Sequence, residues 1–115
     1  MATIAIRLDP QYLANPDLDL RYVLPDTIVS LAKGLVQDDG YEYGLQSNVM
    51  FIFLHTTSPT EAVPVVLNVL CHTPLLGNDL SRGSIVAVSP VDHDEQSSNF
   101  TSVFPSDYTG IFTFD

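Results

Sequence analysis

Residues 49–54, VMFIFL, form an unbroken run of six apolar side chains. An apolar run of this length is typical of a β-strand that is covered on both faces of a sheet. It is far shorter than the roughly 20 apolar residues that a membrane-spanning helix needs. The sequence therefore predicts a central strand over residues 48–55, and the other elements are placed around it.

Two further strands are predicted on the N-terminal side of this run. Residues 2–8 alternate in polarity and are rich in isoleucine, and Asp9-Pro10 ends that pattern. Residues 41–46, YEYGLQ, form the second strand and are separated from the central strand by a polar turn. Residues 9–24, which include two prolines, are expected to form a connector.

A helix is predicted between Pro25 and Gly40. Its apolar stripe recurs at helical spacing and consists of Ile28, Leu31, Ala32 and Leu35. Pro25 suits the first turn of a helix, where its missing N–H is not needed. Gly40 suits the C-terminal end, because glycine readily adopts the left-handed conformation that closes a helix.

The C-terminal half predicts one helix and two strands. Residues 58–61, SPTE, match a capping box that opens a helix to about Cys71. Pro64 and the β-branched residues after it leave a strand as the alternative for this segment. Residues 84–89 predict a strand, residues 90–110 a long polar region, and residues 111–114 a short final strand.

The resulting order is β-α-β-β-α-β with a C-terminal strand. This order predicts an α+β sandwich in which both helices cover one face of an antiparallel-rich sheet, the ferredoxin-like arrangement. A chain of 115 residues is long enough for one core, so we expect residues 1–115 to form one domain.

The charge balance is the strongest global signal. Fourteen acidic residues against four basic ones give a formal net charge of -10. Such a surface repels phosphate backbones, so nucleic-acid binding is not expected. The same field attracts a basic protein. Acidity for solubility, or adaptation to salt, is the ordinary alternative.

We expect a cytoplasmic protein that does not bind membranes. The N-terminal residues MATIAIRLDP lack the basic segment and long apolar core of a signal peptide. Cys71 is the only cysteine, so nothing in the sequence implies an oxidising compartment.

No catalytic signature is present, and neither a cofactor nor a metal is predicted. The chain has no nucleophile elbow, Walker motif or dinucleotide-binding glycine pattern. Imidazoles and carboxylates are proper metal ligands, so a small metal-dependent enzyme is an alternative hypothesis. Its ligands would come from His55, His72, His93 and either Asp92 or Asp94.

Residues 37–44, QDDGYEYG, are the best candidate for a docking site. If the helix ended at Gly40, Asp38 and Asp39 would lie near its carbonyl end, where carboxylates are unfavourable. Residues that break a local rule without compensation tend to mark functional sites. Tyrosines beside carboxylates suit a basic partner, since arginine both pairs with acids and stacks on rings. The predicted contacts are Asp38, Asp39, Tyr41, Glu42 and Tyr43, with Asp92, Asp94 and Glu95 as a second patch.

The leading hypothesis is a non-catalytic acidic protein that inhibits or sequesters a basic protein, such as a toxin or nuclease. Its size and acidity are shared with bacterial toxin immunity proteins and other nuclease inhibitors, a similarity of composition and not of motif. A ligand-binding or regulatory ferredoxin-like domain, dimeric through its sheet, is a further alternative beside the metal-dependent enzyme. The ordinary interpretation of Tyr41 and Tyr43 is that they cover the core while the acids are solvated.

Overall fold

The computed structural model describes residues 1–44, 48–91, 100–108, 110 and 112–114. Within them lie five strands: β1 (Ala2–Leu8), β2 (Val36–Tyr43), β3 (Met50–Thr56), β4 (Ser84–Ser89) and β5 (Thr101–Phe104). Two α-helices, α1 (Leu20–Ala32) and α2 (Pro59–His72), and two short 3-10 turns, Pro10–Tyr12 and Leu80–Arg82, complete the described elements. The strands form one sheet in the order β2-β3-β1-β4-β5, with every neighbouring pair antiparallel.

The apolar run becomes β3, which lies inside the sheet between β2 and β1. Ile52 and Leu54 point to one face and are fully buried there. Phe51 and Phe53 point to the other face and are also buried. Each face therefore needs its own cover, and the predicted central strand is confirmed.

Both helices cover the same face of the sheet. They contribute to the core that holds Ile4, Ile52 and Leu54. Their buried residues in that core include Leu20, Leu24 and Ile28 of α1 and Ala62, Val66 and Val69 of α2. The predicted α+β class, with an antiparallel sheet and two helices, is thus confirmed.

The opposite face is covered by phenylalanines from the C-terminal part of the chain. Phe100, Phe112 and Phe114 pack against the cluster of Phe51 and Phe53. The ring centroids of Phe51 and Phe114 are 5.1 Å apart, and those of Phe51 and Phe112 are 6.0 Å apart in an edge-to-face contact. Such offset and edge-to-face geometry is the favourable one for aromatic pairs.

The final strand is not where the sequence predicted it. Residues 112–114 are not a strand, and residue 111 lies outside the described residues. The strand is β5, which falls in the segment predicted to be a polar region and pairs with β4 through Val86↔Phe104 and Val88↔Thr101. Phe112 and Phe114 are used on the face of the sheet instead of at its edge.

The helix predicted from Pro25 to Gly40 was wrong at both ends. Helix α1 begins at Leu20, inside the predicted connector, so Pro25 lies within the helix. It ends at Ala32, because Lys33 and Gly34 take left-handed conformations with φ of 52° and 90°. The apolar stripe is also different: Leu31 is 50% exposed, and the buried positions are Leu20, Leu24, Pro25, Ile28 and Ala32.

The second helix and the fourth strand agree with the sequence. Helix α2 spans Pro59–His72 and keeps Pro64 inside it, so the strand alternative was wrong. Ser58 is the N-cap residue, but its side chain makes no capping hydrogen bond, so the predicted capping box does not form. Strand β4 has the predicted bounds. No helix in the described residues is long and apolar enough to cross a membrane.

The two-sided burial of β3 predicts a large stability effect at Phe51. Because this ring is fully buried, Phe51→Ala should lower the free energy of unfolding by about 3 to 5 kcal/mol. Val103→Ala, at an exposed position of β5, is the control and should change it by no more than about 0.5 kcal/mol. Urea denaturation of both variants measures this, and an equal effect at the two positions would contradict the described core.

Candidate functional site

Strand β2 forms one edge of the sheet and contains a bulge. Asp38 pairs with Leu54 and Tyr41 pairs with Ile52, so the two residues between them on β2 face a single residue of β3. Gly40 has a φ of +93°, a conformation that costs glycine little. The Asp38 side chain stabilises this turn, since its Oδ1 accepts a hydrogen bond from the Gly40 N–H at 2.9 Å.

The bulge places the predicted acids in a strand and not at a helix end. The helix-dipole argument for Asp38 and Asp39 was therefore wrong, and the C-cap of α1 is the cation Lys33, which the dipole favours. Asp38 is exposed. Asp39 lies with its Oδ2 2.8 Å from Nε2 of His55, without hydrogen-bond alignment, and the pair is ionic only when His55 is protonated.

Three tyrosines and one arginine form a cluster where α1 crosses β2. Tyr22 and Arg21 come from α1, and Tyr41 and Tyr43 from β2. The ring centroids of Tyr22 and Tyr41 are 5.9 Å apart and those of Tyr41 and Tyr43 6.0 Å apart, both edge to face. We call these four residues the tyrosine–arginine cluster.

Arg21 holds the cluster together. Its Nη1 donates a hydrogen bond to the Tyr43 hydroxyl at 3.1 Å. Its guanidinium carbon lies 4.8 Å from the ring centroid of Tyr22 and 5.3 Å from that of Tyr41, within cation–π range of both rings. The hydrogen bond to Tyr43 is the main cause that raises the pKa of Arg21 above its ordinary value. Arg21 therefore contacts all three tyrosines of the cluster.

The cluster is only partly buried. Tyr22, Tyr41 and Tyr43 are 49%, 37% and 40% exposed, so each ring keeps a face or edge in water. The register confirms that Tyr41 and Tyr43 share one side of the strand while Glu42 takes the other, as the alternation predicted. Aromatic rings grouped in this way at a surface are typical of contact sites between proteins.

A small apolar pocket adjoins the cluster at Tyr43. Its wall is formed mainly by apolar side chains, among them Leu8, Leu13, Leu18, Leu20 and Met50. Its volume is about 30 Å³, well below the several hundred Å³ of a site for a metabolite.

The sequence analysis did not predict that Arg21, Tyr22 or the pocket belong to the site. Residues 9–24 were predicted as a connector, so nothing placed Arg21 and Tyr22 on a helix face opposite β2. Helix signals were present, since apolar residues recur at Leu20 and Leu24 ahead of Ile28, and Lys33-Gly34 marks a helix end.

Most of the remaining predicted residues lie outside the part of the chain that the structure describes. Asp92, Asp94 and Glu95, the second predicted patch, lie outside the described residues, as does His93. His72 ends α2, beside an exposed Cys71. Among the described residues no group of three or more His, Cys, Asp or Glu side chains could hold a metal ion.

Comparisons with protein-family models, with curated proteins and with solved structures found no match for this chain.

The cluster predicts an unusual titration of Tyr41. A hydrogen bond with Tyr22 is the main cause that raises the pKa of Tyr41, and the nearby positive charge of Arg21 opposes it. Tyr22→Phe should therefore lower the pKa of Tyr41, whereas Arg21→Gln should raise it further. NMR titration of the tyrosine ring carbons at alkaline pH measures both shifts, with Tyr12→Phe as the control outside the cluster.

The sign of the coupling to stability follows from the raised pKa. The folded state favours the neutral form of Tyr41. The stability that the hydrogen bond of neutral Tyr41 with Tyr22 contributes is therefore complete below the unfolded-state pKa. That contribution is lost as the pH rises through the folded-state pKa. An unchanged Tyr41 titration in Tyr22→Phe would contradict the described cluster.

Proposed function

We propose that this chain is a non-catalytic binding domain that inhibits or sequesters a basic protein by covering part of its cationic surface. The observation that carries the proposal is the tyrosine–arginine cluster, partly exposed at a sheet edge whose strand also carries the acids Asp38 and Glu42. Toxin-immunity proteins and nuclease inhibitors are the class of protein that this role resembles, and the cytoplasm is the compartment in which we place it.

The chemistry of the cluster suits arginine or lysine side chains of a partner. Exposed tyrosine rings offer a large contact area with few rotatable bonds, so little conformational entropy is lost on binding. Arginine stacks on such rings and pairs with neighbouring carboxylates at the same time. Arg21 supports this role because it fixes the rings before the partner arrives, and preorganisation lowers the cost of binding.

The charge of the whole chain supports the same partner. A net charge of -10 accelerates encounter with a cationic protein at low salt and holds off an acidic one. The acids on β2 then set the position of the partner, while the tyrosines supply most of the contact area.

Charge reversal at the site tests the proposal. In the variant Asp38→Lys with Glu42→Lys, capture of basic proteins from the native lysate should fall about tenfold at low salt, because the rim charges steer association. Quantitative mass spectrometry of the captured proteins, with their isoelectric points, measures this.

A matched pair of substitutions separates the site from the overall charge. Glu61 in the first turn of α2 and Asp107 after β5 are exposed acids outside β2 and outside the tyrosine–arginine cluster. Glu61→Lys with Asp107→Lys makes the same change in net charge and should retain capture. If both pairs lost capture equally, or if the captured proteins were not basic, the proposed site would be wrong.

A further inference from the structure

Among the described residues β2 has a strand neighbour on its β3 side only, and its hydrogen-bond pattern fixes which backbone groups point to the other side. The Gly44 N–H donates to the Val49 carbonyl at 2.7 Å, and Tyr43 pairs with Met50 in the same ladder. In an antiparallel ladder, hydrogen-bonded and non-hydrogen-bonded pairs alternate. Glu42 therefore exchanges its backbone hydrogen bonds with β3, whereas Tyr41 and Tyr43 direct their N–H and C=O groups away from it.

These outward groups lie beside the tyrosine–arginine cluster. In the part of the chain that the structure describes, β2 pairs with β3 alone. The bulge at Asp39 and Gly40 interrupts the strand on one side, which leaves the segment from Tyr41 to Gly44 as the regular part of the edge. Exposed edges of this kind accept an added strand.

Charge decides what kind of strand can be added. Asp38, Asp39 and Glu42 lie along β2, and a second copy of the chain would set the same acids against them. Like charges opposite one another across strands are destabilising, and each copy carries a net charge of -10. A strand bearing arginine or lysine has the complementary charge.

We propose that the edge of β2 binds an extended basic segment of the partner as an added strand of the sheet. This inference rests on the proposed function and specifies its geometry. Side chains of the added strand alternate between the two faces, so those on the α1 side lie against Tyr41 and Tyr43. Those on the other side lie against Glu42.

A synthetic peptide tests this mode of binding before any partner is known. The probe is an eight-residue peptide of alternating Arg and Val, with the same peptide methylated at every backbone nitrogen as the control. Both carry the same charges and side chains, but only the first can donate strand hydrogen bonds. NMR titration should show saturable shifts at the amides of Tyr41 and Tyr43, with affinity at least about threefold higher for the unmethylated peptide.

Two substitutions at one position separate backbone pairing from ring contact. Tyr43→Ala removes the ring and keeps the outward N–H, whereas Tyr43→Pro removes both, and neither interrupts the bonds between β2 and β3. The proline variant should bind the Arg-Val peptide about three- to tenfold more weakly than the alanine variant, the effect expected for one lost hydrogen bond. Amide spectra of β3 residues report whether each variant keeps the fold.

Three outcomes would contradict the proposal that β2 binds an added strand. They are equal affinity for the methylated and unmethylated peptides, equal affinity of the Tyr43→Pro and Tyr43→Ala variants for the Arg-Val peptide, and concentration-dependent pairing of β2 between copies of the chain. The proposed function fails separately, if charge reversal on β2 leaves capture of basic proteins unchanged. Loss of capture on charge reversal, together with equal peptide binding, would keep the function and reject this geometry.

Discussion

The structure depends on the burial of β3 on both of its faces. An apolar strand of this kind has no side that tolerates water, so the chain must cover it twice. The two helices cover Ile52 and Leu54, and three phenylalanines from the C-terminal part of the chain cover Phe51 and Phe53. These three phenylalanines lie outside the helices and strands of the described structure. Residues 112–114 therefore pack on the face of the sheet and do not extend its edge.

The same constraint creates the candidate site. With β1 on one side of β3, β2 occupies the other side and becomes an outer strand, next to α1. Its side chains are mostly exposed. An exposed sheet edge invites aggregation, and β2 carries two features that oppose it: the bulge at Gly40 and the acids around it. Under the proposed binding mode, those acids repel a second copy and attract a basic strand.

Sequence reasoning succeeded where the signal was local. The apolar run of β3, the alternation of β1, the short strand pattern of β4 and the helical segment after Ser58 each depend on residues close in the chain, and all agree with the structure. It failed at α1, where Gly40 was taken as the helix end although Lys33-Gly34 supplies the left-handed turn. The start of the helix was also predicted wrongly, because Pro25 was placed in the first turn. Pro25 is buried inside α1, and helix propensity takes no account of such tertiary contacts.

The residues of the site on β2 were predicted from the sequence, and those on α1 were not. Tyr41, Glu42 and Tyr43 were identified from composition and alternation, and their relative orientation was correct. Arg21 and Tyr22 were missed because they meet β2 only through tertiary packing, about 20 residues away along the chain. The reason first given for the acids was wrong, and the edge of the sheet replaces the helix end as their physical setting.

Residue-resolved amide hydrogen exchange of the free protein tests whether the outer side of β2 is open. We expect slow exchange at the Glu42 N–H, which bonds to β3, and fast exchange at the Tyr41 and Tyr43 N–H groups, which face outward. Slow exchange at both tyrosines, or fast exchange at Glu42 while Ile52 of β3 remains protected, would contradict an open β2 edge in this register.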